Sequence, residues 1–532
     1  MTTQSLRRGC AAIAAAALGA SVLGVVTGAP AQAAEGTTAR TAGAATWIVG
    51  QLGQDSLLAG QFGPDYGLTI DAGLSLAATG EQPAALARIS DAIAANLQSY
   101  ITGEDFGDTG STYAGAAGKA LVFSQVAGAD PADYDGGELL ARVEGVVDDS
   151  TGRSADVSQF GDFANTIGQS FIVRGLNAEG SEEAASATDF LLQQQCSEGF
   201  FRLGFSEEGA SDQTCDGDPA AAPDTDVTAF ALLALVEQAG DAEVDAAIES
   251  GVAWLESTQA EDGSFGGGVA TEAPNSNSTG LAGQALAEAG ADQAAGAAAA
   301  YVAALQVPAT CEAGPLASEA GAVAYDSAAF EAGQADGITE ATTDQWRRTT
   351  AQAFPVLQSV PGAAAATALR LVGPSGFVRA GSQVTLTVQG LGAGDTACVY
   401  NPNSRATATA AAPTVRLVAP RGTTRRIFTA LWLGEPARTS VQVLDKKALV
   451  VGLGKKQVKR GAAQVIRVRG LAAGERVVVK LRNKVVARGT ASPAGRFDKR
   501  VVVRGAAPAK AKVVVVGQFN DRRGSATFRV VR

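Results

Sequence analysis

Phe190-Leu191-x3-Gln195-x3-Gly199-x-Phe201 and Trp254-Leu255-x3-Gln259-x3-Gly263-x-Phe265 agree in residue type and spacing over twelve positions. Each copy begins in an Ala- and Leu-rich stretch of helical periodicity and ends in a Gly-rich loop, so each reads as the end of a helix and its exit turn. Tyr301-Val302-x3-Gln306 repeats the first half, and Trp47-Ile48-x2-Gln51 is a looser version. Self-similarity on this scale marks a repeat architecture, in which one supersecondary unit buries its apolar face against the next.

Outward from these segments, residues 41 to about 360 alternate between helical spacings of Ala, Leu and Val and loops of Gly, Asp, Asn and Ser. A second anchor recurs among them, a threonine at a helix start with Leu or Val seven residues later. It occurs as Thr69 with Leu76, Thr166 with Val173, Thr228 with Leu235, Thr279 with Leu286 and Thr350 with Leu357. A further segment from Thr112 keeps the small residues but has Lys119 at the apolar position. Polar residues at such starts accept hydrogen bonds from the unpaired N–H groups of a first helical turn.

The glutamine-aromatic spacing resembles the QW repeat of the squalene–hopene cyclase, terpenoid cyclase and protein prenyltransferase superfamily, with Phe201 and Phe265 in place of the usual tryptophan. The resemblance implies an all-α α/α toroid of six helical hairpins around a central cavity. It also implies that Gln195, Gln259, Trp254 and Phe265 are structural, with each glutamine bonded to backbone and covered by an aromatic ring. Asp224-Thr225-Asp226-Val227-Thr228-Ala229 is similar to the D-x-D-D-T-A segment of class II terpenoid cyclases, and by position Asp226 would be the general acid beside Asp224. Such an acid needs apolar burial to raise its pKa. Val227 replaces the third aspartate, and the chain is only 6% aromatic, which is little for stabilising carbocations.

The absence of histidine removes Ser-His-Asp and Cys-His nucleophiles, His-ligated zinc and histidine acid–base chemistry together. Any chemistry would then use carboxylates, tyrosines, arginines or a bound cofactor; a binding protein with no metal, no cofactor and no catalytic residue is expected, and a terpene cyclase/mutase-like isomerase using Asp226 and Asp224 is the alternative. Cobalamin carriers resemble the plan of a toroid followed by a smaller β-domain, which implies capture of a small lipid, isoprenoid or corrinoid-like ligand. Polar residues expected at the rim of such a cavity are Asp65, Tyr66, Asp71, Tyr113, Asp162, Asn165, Asp224, Asp226, Asn277 and Tyr325, with Asp108, Asn275 and Asp326 beside them.

Charge divides the chain. Residues 34–364 carry 48 acids and 9 bases, a net −39, whereas residues 365–532 carry 6 acids and 31 bases, a net +25. The acidic part repels nucleic acid and polyanions, and the basic part attracts them. From residue 365, short alternating runs of Val, Thr, Arg and Lys between Gly turns predict β-structure. Val378 to Asp395 matches Val458 to Glu475, which divides this part into two immunoglobulin-like sandwich modules, 365–446 and 447–532. The second carries 22 bases and 3 acids, and Arg467-x-Arg469 and Lys480-x-Arg482 are expected on one exposed face, suited to anionic cell-wall polymer.

Residues 1–33 read as a secretory signal peptide, from Arg7 and Arg8 through an apolar run to Ala31-Gln32-Ala33, so a secreted or cell-surface protein is expected. Cys196, Cys215, Cys311 and Cys398 remain, an even count that suggests disulfides in an exported chain. Cys196 and Cys215 flank a Gly- and acid-rich loop and are the preferred pair, which leaves Cys311 with Cys398.

Overall fold

Asp65, Asn165, Asp224 and Asn275 each hold extended backbone immediately before a helix, and each side chain accepts from N–H groups of the first turn. These caps start four of the helices that matter most. The computed structural model describes residues 39–134, 138–311, 313–361, 369–392, 395–432, 435–504 and 508–532. The expected signal peptide, residues 1–33, lies outside them.

The helical part runs through α1 (Ala39–Gly50), α2 (Tyr66–Thr79), α3 (Pro83–Ala94), α4 (Leu97–Ile101), α5 (Ala114–Val126), α6 (Leu139–Glu144) and α7 (Thr166–Glu179). It continues with α8 (Ala184–Gln193), α9 (Thr225–Leu235), α10 (Ala242–Thr258), α11 (Ser276–Glu288), α12 (Asp292–Ala304), α13 (Ser327–Asp336) and α14 (Thr343–Ala353). Helix α2 packs on α5, α5 on α7, α7 on α9, α9 on α11, α11 on α14, and α14 on α2 again. That closed circuit is the inner wall of an α/α toroid. Outside it, α3, α6, α8, α10 and α12 back the inner helices α2, α5, α7, α9 and α11, and α1 backs α14. The inner helices bury residues almost all round, such as Leu232, Leu233, Ala234 and Leu235 of α9, because they meet both the outer layer and one another.

The repeated glutamines stitch one hairpin to the next. Gln195 Nε2 donates to the carbonyls of Gly199 and Ala247, each at 2.9 Å, so it ties its own turn to α10. Gln259 does the same with Gly263 and Ala294, each at 3.0 Å, tying its turn to α12. Gln306 donates to Arg40 O at 2.8 Å and to Gly321 O at 3.3 Å, and thereby joins the last turn to α1. Gly321 has φ +101°, and a Cβ there would lie 2.2 Å from the Gly43 carbonyl oxygen, so only glycine lets this turn close against α1. Gln51, the looser match, instead accepts from Arg347 Nε at 3.3 Å.

The threonines close the other side of each turn. Thr69, Thr228, Thr279 and Thr350 accept from the backbone N–H of Leu58, Phe201, Phe265 and Val323 at 2.9–3.0 Å. Thr166 does not belong to this set: it is the first residue of α7, three positions early. The equivalent position, four after the Asn165 cap, is Gln169, whose Oε1 accepts from Ser154 N at 3.0 Å. Its Nε2 donates to Gly152 O and Ala187 O, each at 2.9 Å. One side chain thus does in the third hairpin what a threonine and a glutamine do elsewhere.

The strands begin with a minimal hairpin, β1 (Ala59–Gly60) and β2 (Gly63–Pro64), at the entrance to α2. The first C-terminal module contains β3 (Arg370–Val372), β4 (Phe377–Arg379), β5 (Gln383–Gln389), β6 (Thr396–Asn401), β7 (Ser404–Thr409), β8 (Thr414–Val418), β9 (Thr424–Trp432) and β10 (Glu435–Leu444). The second contains β11 (Lys447–Ala448), β12 (Val450–Leu453), β13 (Gln457–Lys459), β14 (Ala463–Arg469), β15 (Arg476–Leu481), β16 (Lys484–Thr490), β17 (Arg496–Val502), β18 (Lys510–Val516) and β19 (Arg522–Val531). Each is a two-sheet β-sandwich with its own core. In the first, β4-β10-β9-β6-β7 faces β3-β5-β8; in the second, β13 pairs with β19, β19-β18-β15-β16 continue that sheet, and it faces β12-β14-β17. The strand orders correspond one to one. Arg467 is exposed on β14, but Arg482 is in the turn with Asn483, both at positive φ, and not on the β15 face.

Both disulfides are formed, Cys196–Cys215 within the helical part and Cys311–Cys398 between it and β6. Two disulfides indicate an oxidising, extracytoplasmic setting. Among the described residues no helix is long and apolar enough to cross a membrane. Beside the second disulfide, Thr396 Oγ1 donates to Ala309 O at 2.9 Å and Arg40 reaches Asp395 at 3.4 Å. Asp395 matches Glu475 of the second module, which is fully buried and bonds Arg522 of β19 at 2.7 Å. The same acid position is an internal clamp in one module and a dock for the toroid in the other.

Candidate functional site

The six inner helices enclose a cavity of about 650 Å³. Its wall is layered: polar side chains from α2, α9, α11 and α14 gather at one level and polar side chains from α5, α7, α11 and the turn after α9 at another, with small or apolar residues between. Asp71, Asp226, Asn277 and Gln352 form one layer. Leu74, Phe171, Phe230, Leu233, Ala234 and Leu281 form an apolar belt. Gln125, Arg174, Glu237, Gln284 and Glu288 form the far layer.

The far layer is the mouth: Glu237 is 43% exposed, and Arg174 bonds it at 2.6 Å. Gln284 donates to Glu288 at 2.8 Å, and Gln125 donates to Glu179 at the same distance. The first layer is the floor. A loop closes it, passing so near that a Cβ on Gly267 would lie 2.7 Å from Asp226 Oδ2. On the floor's outer side, the loops entering α2, α5, α7 and α11 expose Phe62, Phe106, Phe160, Phe163 and Val269 to solvent.

A relay of hydrogen bonds sets the orientation of the floor. Lys119 of α5 lies 2.5 Å from Asp71 of α2 and also donates to Gly67 O at 3.1 Å. Burial is the largest influence and works against the lysine charge, but Asp71 together with Tyr100 and Asp65 outweighs it and holds the Lys119 pKa above its ordinary value. Gln352 Nε2 donates to the other Asp71 oxygen at 3.0 Å, and its Oε1 accepts from Asn277 Nδ2 at 2.5 Å. The amide of Asn277 is thereby committed, and its Oδ1 is left buried with no partner.

Asp226 lies beside it on α9. Burial is the main cause that pushes its carboxyl up to about 6; a hydrogen bond from Ser278 acts against the rise, and neighbouring Asp224 adds to it. Its Oδ1 is also buried without a partner. Asp224 does not enter the cavity: it caps α9, accepting from Asp226 N at 3.0 Å and Val227 N at 3.1 Å. Val227, at the position of the missing third carboxylate, is fully buried in helix packing.

Of the residues expected at the rim, the structure brings Asp71, Asp226 and Asn277 to the cavity. Asp65 caps α2 and pairs with Arg348, and Asn165 caps α7. Tyr66 reaches Asn96 at 3.4 Å, and Tyr113 reaches Asp108 at 3.5 Å. Asp162 pairs with Arg153 at 3.1 Å. Asn275 and Asp326 cap α11 and α13. Tyr325 lies close enough to Asp226 to feel its charge but does not line the cavity. The mouth residues Arg174, Glu237 and Glu288 were not among the expected ones. Their signal was available as charged residues within or just after segments of helical apolar spacing, and Lys119 had already stood out by interrupting the apolar pattern. Among the described residues no cluster of His, Cys, Asp and Glu is arranged to hold a metal.

The fold and site define a class: a closed six-hairpin α/α toroid with a lined central cavity, carrying two β-sandwich modules. Comparison with protein-family models and with curated proteins gives no match. Among solved structures, the chain is similar to the type II terpene cyclase MstE from Scytonema, at 15% identity and TM-score 0.42 over 60% of this chain and 96% of that one. It is similar in the same way to a protein from Actinoplanes, at 15% identity and TM-score 0.40 over 60% and 98%. For ent-copalyl diphosphate synthase from Streptomyces platensis the identity is 16% and the TM-score 0.35, over 55% of this chain and 49% of that one.

Proposed function

We propose that the toroid captures a small amphipathic molecule without converting it, in an exported protein whose basic second β-module attaches it to anionic wall polymer. The observation that carries this reading is the layered cavity, an apolar belt between a polar floor and a polar mouth. Pockets of this volume with a few convergent polar groups suit small ligands. No nucleic acid is expected as a partner of a domain of net charge −39.

A second reading, a terpenoid-cyclase-like isomerase with Asp226 as general acid, draws on the buried carboxyl pushed up to about 6. Two features weigh against it. The lining aromatics are Phe171 and Phe230, and the Lys119 ammonium already sits 6.0 Å from the Phe171 ring centre. A carboxyl near 6 is moreover mostly ionised at neutral pH, the wrong state for donating a proton to an alkene.

The two readings separate on one incubation of the mature protein with squalene and shorter polyprenyl substrates, followed by product analysis. Capture predicts that each is recovered unchanged in mass and structure. A cyclised product that disappears in Asp226→Asn would establish the enzyme instead.

A further inference from the structure

The charges of the cavity do not cancel. The cation that lines the cavity, Arg174, is committed to Glu237, and Lys119 behind the floor is committed to Asp71. Asp226 has no cationic partner among the described residues, and its charged neighbour on the floor side is another acid, Asp224. The groups facing it from packed elements are the Ser278 hydroxyl and Asn277 on α11 and Tyr325 from the loop before α13. None of these supplies a positive charge. A buried carboxylate left this way has a large unmet demand for a donor.

The relay narrows the chemistry further. Asp71, ion-paired to Lys119, can only accept from Gln352. Gln352 must then present its oxygen to Asn277, and Asn277 must turn its own oxygen away from that bond. Two oxygens, Asp226 Oδ1 and Asn277 Oδ1, therefore wait in the same floor, on the adjacent helices α9 and α11, both buried and both lacking donors. A group with several N–H donors and a positive charge answers both; a carboxylate, phosphate or ether answers neither.

Resting on the capture reading, we propose that the floor recognises the ammonium group of a primary amine on an apolar body, held by Asp226 Oδ1 and Asn277 Oδ1 with the body against Phe171, Phe230 and Leu281. The net charge of −39 on residues 34–364 draws such cations toward the toroid and repels anionic lipids. The donor count separates primary from quaternary ammonium, because a trimethylated nitrogen brings charge without N–H groups.

The test uses the mature full chain and four probes of one length: octylamine, octan-1-ol, octyltrimethylammonium and octanoate. Calorimetric titration at pH 7.5 and low salt is expected to find octylamine the tightest, by roughly 10- to 100-fold over the others, as for a hydrogen bond to a charged group. Asp226→Asn lowers octylamine affinity to the level of octan-1-ol, and Asn277→Leu lowers it by a smaller factor. Octan-1-ol or octanoate binding as tightly as octylamine, or octylamine indifferent to Asp226→Asn, overturns the ammonium assignment. Filling the cavity with Leu281→Trp separates the two levels. If all four probes bind alike and Leu281→Trp abolishes them, capture stands and the ammonium assignment falls. If no probe binds, or Leu281→Trp changes nothing, both fall.

Discussion

Replacing Asp226 by asparagine keeps the shape of the side chain and removes its charge, so its effect on stability isolates the cost of burying that carboxyl. Burial raises the pKa from 3.8 to about 6. At about 1.4 kcal/mol per unit, a rise of about 2 units means that ionised Asp226 destabilises the fold by about 3 kcal/mol. The sign follows from which state holds the proton. Below the unfolded value near 4, both states are protonated and there is no penalty. Between pH 4 and 6 the unfolded chain ionises first, so the stability of the toroid falls as pH rises. Above about 6 the whole penalty is present. Urea denaturation at pH 4, 5, 6 and 7.5, followed by fluorescence of the buried toroid tryptophans Trp47 and Trp346, reads this directly. Asp226→Asn should match wild type at pH 4 and exceed it by about 3 kcal/mol at pH 7.5. Parallel pH profiles for the two proteins would refute the buried, unpaired carboxylate.

Other consequences lie elsewhere in the chain. Gly321→Ala should destabilise the toroid by more than about 2 kcal/mol in thermal unfolding, because its Cβ meets the Gly43 carbonyl at the seam where α1 closes the ring. Glu475→Ala strands the fully buried Arg522 and should cost the second module about 3–5 kcal/mol. Asp395→Ala, at the matching position, loosens the contact with Arg40 and should show as faster proteolysis between toroid and first module at unchanged core stability. The mature protein should sediment with anionic wall polymer at low salt and release at high salt, and a chain ending at residue 446 should not sediment.

The repeat was legible because its signals are local. The glutamine, the positive-φ glycine and the aromatic fall within twelve residues of one another, and the glutamine hydrogen bonds in the fold are those that the resemblance to the glutamine-aromatic repeat implied. Gln169 escaped because its function is divided between two residues in the other hairpins, and Thr166, a good helix starter nearby, absorbed the register. The duplication of the β-modules was legible down to Asp395 and Glu475, but their different partners were not. Arg40 is more than 350 residues from Asp395, whereas Arg522 is on a neighbouring strand of Glu475's own module. The site was legible on one side only. Asp71, Asp226 and Asn277 lie in the first halves of their helices, where polar residues were sought, while Arg174 lies mid-helix, Glu237 just past α9 and Glu288 at the end of α11, and these reach one cavity only through ring closure. Asp65, Asn165 and Asp224 show the converse, with polar side chains at the right sequence positions that are consumed as caps.

Native mass spectrometry of the purified protein tests the capture claim most directly, with wild type compared against Leu281→Trp. The account predicts one small molecule per wild-type chain, carrying a primary amine and released unchanged on denaturation, and none on the variant. Wild type and Leu281→Trp carrying the same adduct, or neither carrying one, would contradict it.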